Sequence, residues 1–148
     1  AVKSRIGLYA NAYVVTPDKD LIEEYKNHKD INVIIADECQ FLTPDQIDDL
    51  RKIVDEYDIP VLCFGLRSDF QTKLFPGSKR LFEIADSINE VKSVCRCGKK
   101  AIVNARINES GEIITEGEQI EIGGNDKYVS MCWGCWQSTI AKQKNNKN

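Results

Sequence analysis

Four cysteines fall into two close pairs, Cys95-Arg96-Cys97 and Cys132-Trp133-Gly134-Cys135, with 34 residues between them. Each pair brings two thiolates within reach of one ion, and two pairs supply the four tetrahedral sulfur ligands that zinc prefers. Four protein ligands leave no position for water, so such a zinc holds structure and carries no reaction. The same residues admit three other readings: a redox Cys-x-x-Cys at 132–135, four unrelated core cysteines, or an iron–sulfur cluster. A redox pair has no need of a partner pair at 95–97, which favours a metal. A module this small buries little core, so bound metal contributes folding energy directly.

The second candidate is Asp37-Glu38, which closes the apolar run Ile31-Asn32-Val33-Ile34-Ile35-Ala36. A short, β-branched run with little alternation reads as a strand buried on both faces. Two carboxylates then sit at the carboxyl edge of a parallel sheet, where α/β proteins bind ligands. In phosphoryl-transfer enzymes an acid at such a position holds magnesium, and a neighbouring acid takes the proton of the attacking hydroxyl. The bland alternative is an ordinary approach to a helix. No Gly-x-x-x-x-Gly-Lys-Ser/Thr occurs in the chain; Gly77-Ser78-Lys79 reads as a turn entering a helix.

The elements that must position these groups follow from punctuation and period. Ala12 to Val15 reads as a short strand, and Thr16 as the cap of a helix beginning at Pro17 with Leu21, Ile22 and Tyr25 on one stripe. Thr43-Pro44-Asp45-Gln46 starts a second helix, with Ile47, Leu50, Ile53, Val54 and Tyr57 facing inward. Ile59 to Phe64 is a second short strand, closed by Gly65, so residues 31–64 form a parallel strand–helix–strand unit. A charged loop over 66–80 carries Phe70, Leu74 and Phe75; a helix over Lys79 to Ala85 and a strand near Glu90 to Val94 follow. Beyond Val94 come short strands at Ala101 to Ile107, Gln119 to Ile122 and Tyr128 to Met131, with turns at Ser110-Gly111 and Gly123-Gly124-Asn125. The division expected is an α/β portion over 1–93, a small β-rich module over 94–141, and a frayed polar tail over 142–148.

Composition narrows the function classes. The chain has 148 residues, 42% apolar and 29% charged, which is globular rather than disordered. A net charge of -3 gives no basic face for nucleic acid. No apolar run approaches the roughly 18 residues that span a bilayer. Cys39 and Cys63 sit in apolar strand-like contexts as buried thiols, and with the paired cysteines they suggest a reducing, cytoplasmic setting.

Four ordered motifs resemble one family: Asp37-Glu38-Cys39-Gln40-Phe41-Leu42, Gly65-Leu66-Arg67-Ser68-Asp69-Phe70-Gln71, the cysteine pairs, and Ile122-Gly123-Gly124-Asn125-Asp126-Lys127-Tyr128. Together they resemble the zinc-containing thymidine kinases of the cellular and bacterial class, over nearly the whole chain. The resemblance implies a P-loop NTPase-like parallel sheet, truncated at its N-terminus, with a C-terminal zinc-ribbon-like β module. It implies ATP-dependent phosphorylation of thymidine at its 5′-hydroxyl, with structural zinc and with magnesium accompanying ATP. Family members begin with a strand and an ATP phosphate-binding loop, so the chain is expected to begin late and, as it stands, to be inactive apart from an intact parent.

Carried over by position, Asp37 corresponds to the magnesium-associated acid and Glu38 to the general base. Cys39 stands where the family usually has alanine or glycine. Leu66 and Phe70 match the apolar walls of the thymine pocket, Tyr128 closes it, and Asn104 falls where a residue touches the base edge. Residues 109–126 match the loop that wraps the nucleoside, with Gln119, Ile120, Glu121, Ile122, Gly123, Gly124 and Asn125 contributing largely through backbone. Arg5 corresponds to a basic residue near the transferred phosphate, although Lys3 stands where the family commonly has an acid. The resemblance also implies a homotetramer and dTTP as a feedback ligand. Two readings compete with it: a non-catalytic zinc-ribbon binding or scaffold protein, and a generic P-loop ATPase with a zinc insertion. A pure binding module does not need Asp37-Glu38, and ATP hydrolysis does not need Phe70 and Tyr128.

Overall fold

A computed structural model describes residues 1–4, 6–121 and 123–148; Arg5 and Ile122 lie outside the described residues. In chain order the elements are β1 (Val2–Lys3), β2 (Tyr9–Ala10), α1 (Leu21–Lys26), β3 (Ile34–Ala36), a 3₁₀ turn (Cys39–Phe41), α2 (Pro44–Tyr57), β4 (Val61–Cys63), α3 (Pro76–Ile84), β5 (Ser93–Val94), β6 (Lys100–Ala101), β7 (Val103–Ile107), β8 (Lys127–Met131) and α4 (Trp133–Asn146).

The strand–helix–strand unit forms as the sequence requires. Thr43 accepts from the Gln46 N–H at 3.1 Å while the Gln46 side chain accepts from the Thr43 N–H at 3.0 Å, a reciprocal capping box with Pro44 in the first turn. Such a cap is worth about 1 kcal/mol. From that start α2 buries Ile47, Leu50 and Ile53 against Leu21 and Tyr25 of α1. Each large apolar side chain so buried contributes roughly 1.5–3 kcal/mol. β3 and β4 pair in parallel, Ile34 with Val61 and Ala36 with Cys63, and the half-buried Ile34, Val61 and Cys63 pack on this cluster.

Several expectations are corrected here. Among the described residues, parallel pairing is confined to β3 and β4, so a large P-loop-type sheet is not seen. The pair is covered on one face only: Ile35, Leu62 and Phe64 stand exposed on the other. Residues 12–15 form no strand, and the first helix begins at Leu21, capped by Asp20 instead of Thr16. The Thr16 carbonyl is taken by the Lys19 N–H and by the Gln46 amide, which closes a turn before a helix can start. α3 starts at Pro76, earlier than Lys79, because the proline occupies a first-turn position where its missing N–H costs nothing.

The C-terminal part has its own apolar cluster of Val103, Ala105, Ile113 and Trp136. It is built from two separate antiparallel pairs, β5–β6 and β7–β8, and not from a closed zinc-ribbon barrel. Gln119 to Glu121 are irregular where a strand was expected. The polar run after Lys142 stays helical to Asn146 where fraying was expected, since Gln143 exchanges two hydrogen bonds with the Ile113 backbone and Lys147 pairs with Glu112.

Candidate active site and metal centre

β3 delivers Asp37 and Glu38 to its carboxyl end, both exposed. The Glu38 N–H donates to Asp37 Oδ1 at 2.9 Å. Glu38 itself adopts a left-handed backbone, φ 51° and ψ 40°, at the entry to the 3₁₀ turn. That conformation costs a non-glycine residue about 1–2 kcal/mol, and residues held so tend to cluster at functional sites. The turn is fastened to the end of β4: Phe64 N–H donates to the Ala36 carbonyl at 2.8 Å, and Cys39 N–H to the Phe64 carbonyl at 3.0 Å.

Gln40, only 2% exposed, is the fixing residue. Its amide nitrogen donates to Glu38 Oε2 at 2.6 Å, and its amide oxygen accepts from the Leu66 N–H at 3.1 Å. Two glycines make room for this arrangement. A Cβ on Gly65 would meet Gln40 Oε1 at 2.5 Å and Cys39 Sγ at 2.8 Å. A Cβ on Gly77 would collide with the Leu42 carbonyl and lie 3.0 Å from those of Cys39 and Gln40. The Cys39 and Cys63 thiols interact with one another at the ends of the turn and of β4. Their interaction drives the Cys39 thiol upward, with burial adding, and pulls Cys63 down against the opposing effect of burial.

The loop after Gly65 leads from the acidic turn to the aromatic residues. Phe70 is 1% exposed, so the ring is enclosed and not an open wall. The Arg106 guanidinium lies 3.8 Å from its centroid. Arg106 also donates from Nε to the Tyr128 hydroxyl at 3.0 Å, from Nη1 to the Glu118 carbonyl at 3.0 Å and from Nη2 to the Gln119 carbonyl at 3.3 Å. Glu121 approaches the same guanidinium at 3.7 Å. Asn104 donates to the Ser68 carbonyl at 3.1 Å, and the Gln119 amide donates to Asp69 Oδ2 at 2.9 Å. Phe70, Asn104, Gln119, Glu121 and Tyr128 are thus gathered around Arg106 and the 68–70 loop. Leu66 sits at the Gln40 end of that loop, partly exposed, and Ile120, Gly123, Gly124 and Asn125 lie on the exposed stretch beyond. Arg5 and Ile122 fall outside the described residues.

Sequence reasoning missed Arg106 and Asp69 and gave Gln40 no role. One signal was available for Arg106. In Val103-Asn104-Ala105-Arg106-Ile107 the residues at 103, 105 and 107 pack on the Trp136 cluster, which puts Asn104 and Arg106 together on the other face.

The cysteines converge as their spacing predicts. Cys95 and Cys97 lie in the β5–β6 turn, closed by Gly98 N–H donating to the Cys95 carbonyl at 2.8 Å with Gly98 at φ 90°. Cys132 caps α4 and Cys135 follows in its first turn. All four sulfurs lie within 4.8 Å of one another, Cys97 and Cys132 at 3.6 Å. Tetrahedral thiolates at a Zn–S distance of ~2.3 Å are separated by about 3.8 Å, so the quartet fits one ion. All six cysteines are free, with no disulfide among them. Backbone N–H groups of Cys132 and Cys97 pull the Cys95 thiol down to about 6, while bonds to Cys132, Cys97 and Cys95 push Cys135 up to about 12. Among the described residues no helix is long and apolar enough to cross a membrane.

Sequence comparison agrees with this arrangement. The phage T4 thymidine kinase is 48% identical over 144 residues, covering 95% of this chain and 74% of that protein. The Ruegeria pomeroyi thymidine kinase is 45% identical over 139 residues, 92% and 70% of the two chains, and the Vibrio cholerae thymidine kinase 48% over 134 residues, 88% and 70%. The family model described as thymidine kinase matches residues 1–136, a span that takes in the acidic turn, the Arg106 cluster and all four cysteines. On that match the chain belongs to the thymidine kinase family.

Proposed function

We propose that this protein transfers the γ-phosphoryl group of ATP to the 5′-hydroxyl of thymidine, giving dTMP and ADP. The observation that carries the assignment is the family match at nearly half identity over almost the entire chain. Glu38 is the candidate base. Its carboxylate takes the hydroxyl proton as the oxygen attacks phosphorus, and Gln40 holds the carboxylate by its Oε2. Among the described residues Asp37 is engaged through Oδ1, by the Glu38 N–H, which leaves Oδ2 to face solvent. An exposed carboxylate oxygen suits a hard cation, and magnesium there would neutralise charge on the phosphates.

The nucleoside is read as lying against the 66–70 loop, with Leu66, Phe70, Asn104 and Tyr128 and the backbone of 119–125 around it. The four-cysteine centre holds structural zinc and ties the β5–β6 turn to α4. Homotetrameric assembly, feedback by dTTP and a cytoplasmic location are further proposals from the family resemblance; six free thiols suit a reducing compartment.

The test is transfer of labelled γ-phosphate from ATP to thymidine by the intact protein, with Glu38→Gln beside it. The variant keeps shape and is expected to lose roughly 10²–10⁴-fold in turnover, the scale of a positioned acid–base group, with little change in thymidine or ATP binding. Unchanged turnover would move the base elsewhere.

A further inference from the structure

We propose that Arg106 is the positioning residue of the nucleoside loop, holding its backbone and the Tyr128 hydroxyl in the geometry that receives thymidine. This rests on the reading of residues 109–126 as that loop. Among the described residues, positions 115–126 make no backbone–backbone hydrogen bond to the rest of the protein. Side chains hold the segment instead: Gln71 donates to the Thr115 carbonyl at 2.8 Å, Gln119 to Asp69, and Arg106 to the consecutive carbonyls of Glu118 and Gln119.

Of these holders, Arg106 also meets the aromatic residues Phe70 and Tyr128. It is 2% exposed, and a cation so buried is costly unless each face and donor is used. Its plane rests on Phe70, its fork reaches two carbonyls, and its Nε reaches Tyr128. Gly117 turns the loop beside the pair at φ 138°, a backbone angle that residues with side chains rarely adopt; a Cβ there would meet Arg106 Nη1 and Phe70 Cζ only at ordinary contact distances, so the angle and not the space calls for glycine. Among the described residues the Tyr128 hydroxyl is engaged as an acceptor from Arg106, and its own proton can serve a ligand. A planar fork is required: lysine offers one point charge and cannot span two carbonyls and a hydroxyl.

The experiment compares Arg106→Lys and Arg106→Met with the zinc-loaded wild type, each as the intact protein, measuring KM for thymidine and for ATP, kcat, and amide exchange over 115–121 without nucleoside. Both variants are expected to keep their zinc and an ATP KM within about twofold of wild type. The thymidine KM should rise about 10- to 100-fold in Arg106→Met and by less in Arg106→Lys, with kcat changed much less, and exchange over 115–121 should quicken. An unchanged thymidine KM in both variants overturns the proposal. So does loss of zinc, or equal loss toward both substrates, in the lysine variant, since either assigns Arg106 to folding. Failure of the wild type to bind thymidine would instead refute the functional reading on which the proposal stands.

Discussion

Gln40 and Glu38 are joined side chain to side chain at 2.6 Å, and the same Gln40 amide receives the Leu66 N–H at 3.1 Å. The candidate base and the start of the 66–70 loop are therefore positioned by one buried amide. Gln40→Leu keeps the volume and deletes both bonds. Turnover is expected to fall about tenfold or more, and stability by roughly 1–3 kcal/mol for the Leu66 N–H left unpaired. Steady-state kinetics beside a urea titration will measure both; a stability loss with normal turnover would leave Gln40 a merely structural role.

The metal centre predicts about one zinc per chain by elemental analysis. Serine at any of Cys95, Cys97, Cys132 or Cys135 should release the ion and disorder the β5–β6 turn. Zinc retention should fall with falling pH, because each ligand must be a thiolate and protons compete with metal. Full retention of fold after chelation would defeat this assignment.

Phe70→Leu removes the flat ring while keeping most of the apolar volume. The Arg106 guanidinium rests on that ring, a cation–π contact worth roughly 0.5–2 kcal/mol, so thymidine affinity should weaken about 2- to 30-fold through Arg106, with ATP affinity little changed. Phe70→Ala is the less informative variant. Emptying a fully buried site costs about 3–5 kcal/mol and also removes the surface on which Arg106 rests. Calorimetric titration of both ligands separates the two effects: equal weakening for thymidine and ATP would point to folding.

The thiol pair gives a pH-dependent prediction. The Cys39–Cys63 thiol interaction lowers Cys63 and raises Cys39, so Cys63 becomes thiolate first as pH rises. In zinc-loaded protein, alkylation should label Cys63 ahead of Cys39, with its rate levelling off below the pH of an ordinary cysteine. Cys39→Ala removes the stabilising partner, so Cys63 labelling near neutral pH should slow. Peptide mapping after timed alkylation will read the order directly.

The sequence was most legible where local chemistry decides structure. The Thr43–Gln46 capping box, the existence of the two paired strands within 31–36 and 59–64, and the convergence of four cysteines all follow from short-range rules. It was least legible where a distant side chain overrules a local signal. Thr16 looks like a helix cap, yet Gln46, thirty residues on, takes its carbonyl. The tail looks frayed until Gln143 meets Ile113. Arg106 goes unnoticed in a short strand until Phe70, Tyr128 and two loop carbonyls surround it.

Gly77 has a kinetic meaning that its place in α3 conceals. The helix lies so close beneath the 39–42 carbonyls that a single methyl there has nowhere to go. α3 thus acts as a fixed shim under the acidic turn, and any side chain at 77 would lift Glu38 relative to β3. Catalytic distances tolerate errors of well under 1 Å before rates fall by orders of magnitude. Alanine at this helical position, the substitution usually thought safest in a helix, would therefore act on turnover from a distance, by changing the thickness of the support and not the chemistry above it.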